Sequence, residues 1–351
     1  MSPRLRRFLP ILVAGSALAF VLSRTDLGRL QAAMAHAPLL LLLAVSAGMA
    51  VLNCAADTLA MYHVFRGFGL RLRYGDLYTI RAVTYLLAVI NYHAGQLGII
   101  GFLHRVGRVP LSVASGWVLF IIGVWVGLLL LLASGGALLG GRQAAVLLPV
   151  LGLFGLGGVV YVGVLVLRPR WLRQAPPPPG RGAGRLVRAA HRLWCLAIAL
   201  VGPLLEAGLI GHLRALLVRL PHLGVLLLWH YLALRLFGVE VPPLVAVLHL
   251  PVVFAIASLP ISPQGLGTSQ MAAIFFFGGY ARAGDEAVLA YSLSMTAISM
   301  VANLAMGLLF LRRGASLGLQ VQAAGAGGRD VEQAARAEAH EKLASGAGSA
   351  C

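Results

Sequence analysis

Long apolar runs, separated by short clusters of arginine, glycine and proline, set the pattern of this chain. A bilayer-spanning helix needs about 20 predominantly apolar residues. Runs of that kind cover 8–23, 37–64, 111–134, 144–167, 193–213, 223–239, 244–260 and 287–311, which predicts eight transmembrane helices in an all-α polytopic membrane protein. The first run follows Arg4, Arg6 and Arg7 and ends in Ser16-Ala17-Leu18-Ala19, so it reads as an uncleaved first helix, with a secretory signal peptide as the alternative. Two further segments, 82–103 and 261–281, are apolar but broken by glycine and polar residues.

The arginines decide how these segments are threaded, because cytoplasmic loops carry the excess of Lys and Arg. With the N-terminus inside, nineteen arginines fall on the inner side and six (Arg24, Arg29, Arg142, Arg214, Arg219 and Arg282) on the outer side, and the remaining basic residues lie in the tail. This bias requires 82–103 to return to the side it came from, since Arg66 to Arg81 before it and His104, Arg105 and Arg108 after it are both basic stretches. A re-entrant hairpin satisfies that requirement, with Asn91-Tyr92-His93-Ala94-Gly95-Gln96-Leu97-Gly98 as its irregular tip. Irregular backbone at membrane depth is tolerated only where protein or a wet cavity satisfies its polar groups. By the same threading 261–281 dips in from outside, and both termini of a cytoplasmic-membrane protein are cytoplasmic.

Composition agrees with that picture. Of 351 residues 59% are hydrophobic and 11% charged, against roughly 25% charged in a soluble domain. The net charge of +17 would suggest nucleic acid in a soluble protein. Here Lys342 is the sole lysine and the arginines punctuate apolar runs, so no nucleic-acid partner is expected. Membrane phospholipids are the expected partners, because inner-loop arginines attract anionic head groups at about 1 kcal/mol each; a homo-oligomer stays open. Cys54, Cys195 and Cys351 offer neither a disulfide framework nor a zinc site.

The segment 168–192, with seven arginines and Pro176-Pro177-Pro178-Pro179-Gly180, reads as a stiff cytoplasmic linker. It divides an N-terminal membrane half, 1–167 with hairpin 82–103, from a C-terminal half, 193–313 with hairpin 261–281. Residues 314–351 read as a flexible cytoplasmic tail with a polar helical stretch near 329–345.

The stretch Leu259-Pro260-Ile261-Ser262-Pro263-Gln264-Gly265-Leu266-Gly267-Thr268-Ser269-Gln270 cannot continue a helix, but Thr268 or Ser269 can start a new one. A broken helix with a fresh N-terminus presents unpaired N–H groups and a positive dipole, suited to an anionic lipid head. A plain turn between two short spans is the alternative. The candidate binding residues are therefore Asn91, His93, Gly95 and Gln96 at the first tip, and Ser262, Gly265, Gly267, Thr268, Ser269 and Gln270 at the second.

The run PISPQGLGTSQ resembles the Pro-rich, Gly-Leu-Gly signature of the lysylphosphatidylglycerol synthase transmembrane region, a flippase-like domain also found as stand-alone membrane proteins. The earlier NYHAGQLGIIGFLHRVGRVPLSVAS is similar to that family's second signature. In span pattern the resemblance covers residues 8–313. The chain departs from both signatures in the same way, with Gln96 and Gln270 where the family usually has glutamate, and with Ile99 and Ile100 where an arginine is expected. A carboxylate–arginine pair is not carried over. In the synthases a separate soluble domain transfers the aminoacyl group; the 38 residues after 313 do not hold one, so the resemblance implies a non-enzymatic protein with no cofactor.

Ionisable residues inside apolar runs are functional candidates by default. Asp57, with Asn53 one turn earlier, reads either as a polar cavity wall or as a structural ion pair with an arginine such as Arg81. Glu206, three residues after Pro203, is the preferred single acidic residue. His93, His230 and His249 read as hydrogen-bonded packing residues rather than ligands, and no metal, P-loop, dinucleotide or Gly-x-Ser-x-Gly motif occurs. Glycines 152–158 read as close helix packing. Two hairpins entering from opposite faces suggest an inverted repeat with a mid-membrane site. The function expected is lipid translocation or handling, downhill or ion-driven. The alternatives are a non-transporting subunit of an envelope-lipid enzyme and an intramembrane lipid-modifying enzyme.

Overall fold

A computed structural model describes residues 23, 26–90, 92–139, 148–167, 180, 184–259 and 265–346. The predicted first span thus lies outside the described residues apart from residue 23, as do most of linker 168–192 and the site candidates Asn91 and Ser262. The described chain is all-helical, without a strand. Its helices are α1 (Leu27–His36), α2 (Leu39–Gly67), α3 (Tyr74–Ile90), α4 (Tyr92–Arg105), α5 (Leu111–Leu139), α6 (Leu148–Leu167), α7 (Arg185–Leu236), α8 (Pro243–Ser258), α9 (Thr268–Phe277) and α10 (Asp285–Gly346).

Four helical stretches, Leu39–Gly67, Leu111–Gly136, Arg185–Leu236 and Asp285–Leu317, are long and apolar enough to cross a membrane, with mean hydropathy between 1.8 and 2.6. Their outer faces carry exposed leucines such as Leu40, Leu131, Leu213 and Leu309. An apolar exterior of this extent marks a lipid- or partner-facing surface. The interior holds one large apolar cluster built from the C-terminal part of α7 with α8, α9 and the start of α10, and another around Met61, Phe65, Leu103 and Trp117. Trp229 of α7 donates its indole N–H to the Ser46 hydroxyl of α2 at 2.9 Å, joining the two parts of the bundle.

Several sequence expectations are corrected. The runs 193–213 and 223–239 lie on α7, whose two helical segments meet at a kink at Gly208 (φ 57°, ψ −174°), inside the first run rather than between the two. The freed Gly208 carbonyl is taken by the His212 ring, 2.6 Å away, whose other nitrogen meets the Tyr161 hydroxyl at 2.7 Å. Arg214, Arg219 and Pro221, read as an outer loop because they are charged or helix-breaking, are all inside that helix. The polar stretch 92–98 is likewise not an irregular tip: it forms the first turns of α4. Gly95 is there to let α4 approach α3, since a Cβ on it would stand 3.2 Å from the Thr84 carbonyl oxygen.

The segment 261–281 is also arranged differently. Among its described residues, 265–281, the α-helix is α9, which packs against α10 and against α8, the run read as the seventh span. At 16 residues α8 is about 24 Å long, short of the roughly 30 Å hydrocarbon core. The segments flanking this pair lie together, bridged between Val239 and Ala281 and by the Arg282–Glu240 ion pair at 2.7 Å. Arg235, assigned to the inner side, therefore sits with Arg29 and Arg282 around one cavity. A Cβ added at glycine 152, 155, 157 or 158 would meet nothing within 4 Å, whereas one on Gly116 would stand 2.8 Å from the Ala199 carbonyl of α7. These α6 glycines are therefore not points of close helix approach, as Gly116 of α5 is. Residues 314–346 continue α10 as helix, which takes in the polar stretch expected to be helical near 329–345.

Candidate functional site

The ionised residues of the interior converge on Asp57 of α2. Its carboxylate receives the Arg81 Nε–H of α3 at 2.5 Å and a second guanidinium, that of Arg219 from α7. The three side chains are 1%, 7% and 4% exposed, in the order Asp57, Arg81 and Arg219. Helix geometry produces the meeting. Asp57 lies well inside a 29-residue helix, and Arg219 and His222 are three residues apart on one face of α7. Aromatic rings complete the support: Arg81 stacks 4.7 Å from the centre of the Tyr85 ring, and Arg219 lies 5.4 Å from that of Trp125.

These groups wall a cavity of about 220 Å³. Asn53 and Asp57 line it from α2, Arg81 and Tyr85 from α3, and Arg219 and His222 from α7. The floor of apolar and neutral groups comes from Trp125 of α5, Phe254 and Ser258 of α8, and Asn303 of α10. Tyr92, next to the α3–α4 break, and Ala257, next to the α8–α9 break, also reach it. Among the described residues, Asn53 Oδ1, Arg219 Nε and His222 Nδ1 are buried without a hydrogen-bond partner. Such groups are costly to leave unmade, and here they border space large enough for a ligand.

The residues expected at the hairpin tips are placed differently. Gln270 is fully buried in its own local frame: its side-chain oxygen accepts from the Gly267 N–H at 2.6 Å, and its NH₂ donates to the Thr296 hydroxyl at 3.3 Å. Thr268 and Ser269 both donate their hydroxyls to the Gly265 carbonyl, at 3.0 and 2.8 Å. Gly265 itself, at φ 69°, lies so close to α8 that a Cβ would be 2.7 Å from the Ala257 Cα. Gly267 takes φ 82° as the residue before α9. These five residues build the turn. His93 and Gly95 lie on α4, and Gln96 there is buried with its side-chain oxygen unpartnered among the described residues. Among the described residues, none of these candidates lines the Asp57 cavity.

Glu206 is exposed and borders a separate cavity of about 450 Å³ with His63 and Arg214. The acidic residue of the polar interior is Asp57. Asp57 is paired with Arg81 and also lines a cavity. What sequence reasoning missed is Arg219 and His222. Their signal was the three-residue spacing of two polar groups within an otherwise apolar helical run, masked by Pro221. His230 and His249 are hydrogen-bonded packing residues, to the Tyr291 hydroxyl at 2.7 Å and the Val245 carbonyl at 2.9 Å. No cluster of metal-binding side chains occurs among the described residues. No family model matches the chain, and neither a curated protein nor a solved structure matches it.

Proposed function

We propose that the chain is a multi-pass membrane protein that takes the polar head of an amphiphile into its interior and moves it between leaflets, in the manner of the flippase-like domain its two motifs resemble. The observation that supports this most is the cavity around Asp57, Arg81 and Arg219. Replacing a buried ionic cluster by well-packed apolar residues is often neutral or stabilising, so such a cluster is poor scaffolding. Inside a bilayer it reads as a site by default.

The architecture fits the same reading. Helices α3, α4, α8 and α9, of 17, 14, 16 and 10 residues, are each too short to cross alone. Taken as two re-entrant pairs, one in each half, they flank the cavity with Tyr92 and Ala257. The predicted first span, α2, α5, α6, α7 and α10 then make six crossings, two fewer than the apolar runs alone suggest. This threading places 68–73 and 106–110 on the cytoplasmic face and the bridged segments around Val239 and Ala281 on the outer face. Both termini are cytoplasmic. Broken helices from two halves around a mid-membrane site are the arrangement of many secondary transporters.

Reconstitution tests the proposal. Purified protein in liposomes carrying a fluorescent phospholipid should let the inner-leaflet label reach a membrane-impermeant quencher, at a rate above that of protein-free vesicles. Movement seen only with an added envelope-lipid enzyme would favour the subunit reading. Appearance of a chemically altered lipid would favour the intramembrane enzyme.

A further inference from the structure

The charge inside the cavity is unbalanced. Its ionised walls are two guanidiniums and one carboxylate, and the other polar lining groups are uncharged: Asn53, Tyr85, Tyr92, Trp125, Ser258 and Asn303, with His222 counted as neutral. A single positive charge is left over. Buried charge is tolerated when it is paired, and Asp57 has one charge to share between two arginines. The Arg219 Nε–H still lacks an acceptor, and Asn53 Oδ1 lacks a donor.

We propose that this cavity binds one phosphodiester monoanion carrying a hydroxyl group, and that it disfavours heads bearing an ammonium. This rests on reading the chain as a membrane protein that handles an amphiphile. The two non-bridging oxygens of a phosphodiester suit the planar N–H fork of arginine, and one negative charge brings the cavity to neutrality. A hydroxyl on the head supplies the donor that Asn53 Oδ1 lacks. An ammonium would instead face two guanidiniums. The volume of about 220 Å³ equals roughly seven water volumes, enough for a phosphate with a short polyol and too little for acyl chains, which would remain in the bilayer. The same chemistry is offered by a phosphatidylglycerol-type lipid and by a free glycerol phosphodiester.

The test is equilibrium binding of radiolabelled phosphatidylglycerol to the purified full chain in detergent, with unlabelled phosphatidylcholine and soluble glycerophosphoglycerol as competitors. Three variants change the cavity charge in steps: Arg219→Gln makes it zero, Asp57→Asn makes it plus two, and the double variant restores plus one. All are checked for folding by gel filtration and thermal unfolding. Arg219→Gln should weaken binding about tenfold or more, the loss of a charge-assisted hydrogen bond. The double variant should bind better than Arg219→Gln, and Asp57→Asn at least as tightly as wild type. Phosphatidylcholine should compete about tenfold more weakly than phosphatidylglycerol. Competition by glycerophosphoglycerol would assign the site to the free diester, and its failure to compete would assign it to the lipid; both outcomes uphold the chemistry.

Equal loss of binding in Arg219→Gln and the folded double variant, or equal competition by phosphatidylcholine, would overturn it. The transport reading fails separately. Charge-dependent binding without lipid movement in vesicles would leave this site standing, and movement insensitive to Arg219→Gln would leave transport standing without it.

Discussion

Asp57→Ala is the sharpest perturbation of the interior. The carboxylate it removes is 1% exposed and serves two guanidiniums that are themselves 7% and 4% exposed. Breaking a buried ion pair by removing one partner costs about 3–5 kcal/mol, because the survivor is left charged and unpaired. Both pairs share one carboxylate, so the loss is counted once, with the two arginines left to repel each other. The surface pair Asp26–Arg29 is the internal reference: it is 3.6 Å long with side chains 57% and 72% exposed, a class worth about 0–1 kcal/mol. Because Asp26 also caps α1 through the Gly28 and Arg29 N–H groups, Arg29→Ala is the variant that removes only the surface pair; Asp57→Ala should exceed it by about 2–5 kcal/mol. At roughly 2 °C per kcal/mol for a large chain, its unfolding midpoint in detergent should fall about 4–10 °C further. Thermal unfolding followed by tryptophan fluorescence reads the difference, and raising the salt should shrink the Arg29→Ala effect while sparing that of Asp57→Ala. Equal midpoints for the two variants would refute the buried cluster.

Other expectations follow from single contacts. Gly265→Val should disrupt the α8–α9 turn, because φ 69° strains any side chain and the Ala257 backbone blocks its Cβ; unchanged stability and lipid movement would refute that packing. Gly116→Leu should destabilise strongly against the Ala199 and Leu200 carbonyls, whereas Gly155→Leu, which meets open space, should leave the unfolding midpoint unchanged. Cysteines placed at Arg71 and Arg108 should label from the cytoplasm, and cysteines at Glu240 and Gly284 both from outside. Cytoplasmic labelling of position 240 would restore the eight-crossing threading. Glu206→Gln should leave binding of phosphatidylglycerol unchanged, since that carboxylate borders a different cavity.

Helices α2 and α5 were legible because their apolar runs are long and uninterrupted, and membrane-length apolarity has few other uses. α7 was not. Arg214, Arg219 and Pro221 carry the local signature of a loop, and only the distant Asp57 makes Arg219 tolerable inside a helix. The glycines misled for a similar reason: Gly95 could end a helix or let one approach another, and the choice depends on Thr84 and Ala88 of α3, which a local pattern does not display. For the site, Asp57 and Asn53 stood out as polar groups in an apolar run. Arg81 was visible as a partner in the same half, but Arg219 is 162 residues from Asp57, and no spacing rule links them. Gln270 drew notice as a motif residue, and its side-chain oxygen accepts from the Gly267 N–H within the turn.

The central claim is that a lipid head enters the Asp57 cavity, and photocrosslinking tests it most directly. A photoreactive side chain in place of Asn303, which lines the cavity from α10, would be irradiated in protein embedded in native lipid, and the adducts mapped by mass spectrometry. The account predicts a covalent adduct joining position 303 to the head-group atoms of a phospholipid, lost when Arg219→Gln is added. Adducts confined to neighbouring side chains or to acyl chains, unchanged by Arg219→Gln, would contradict it.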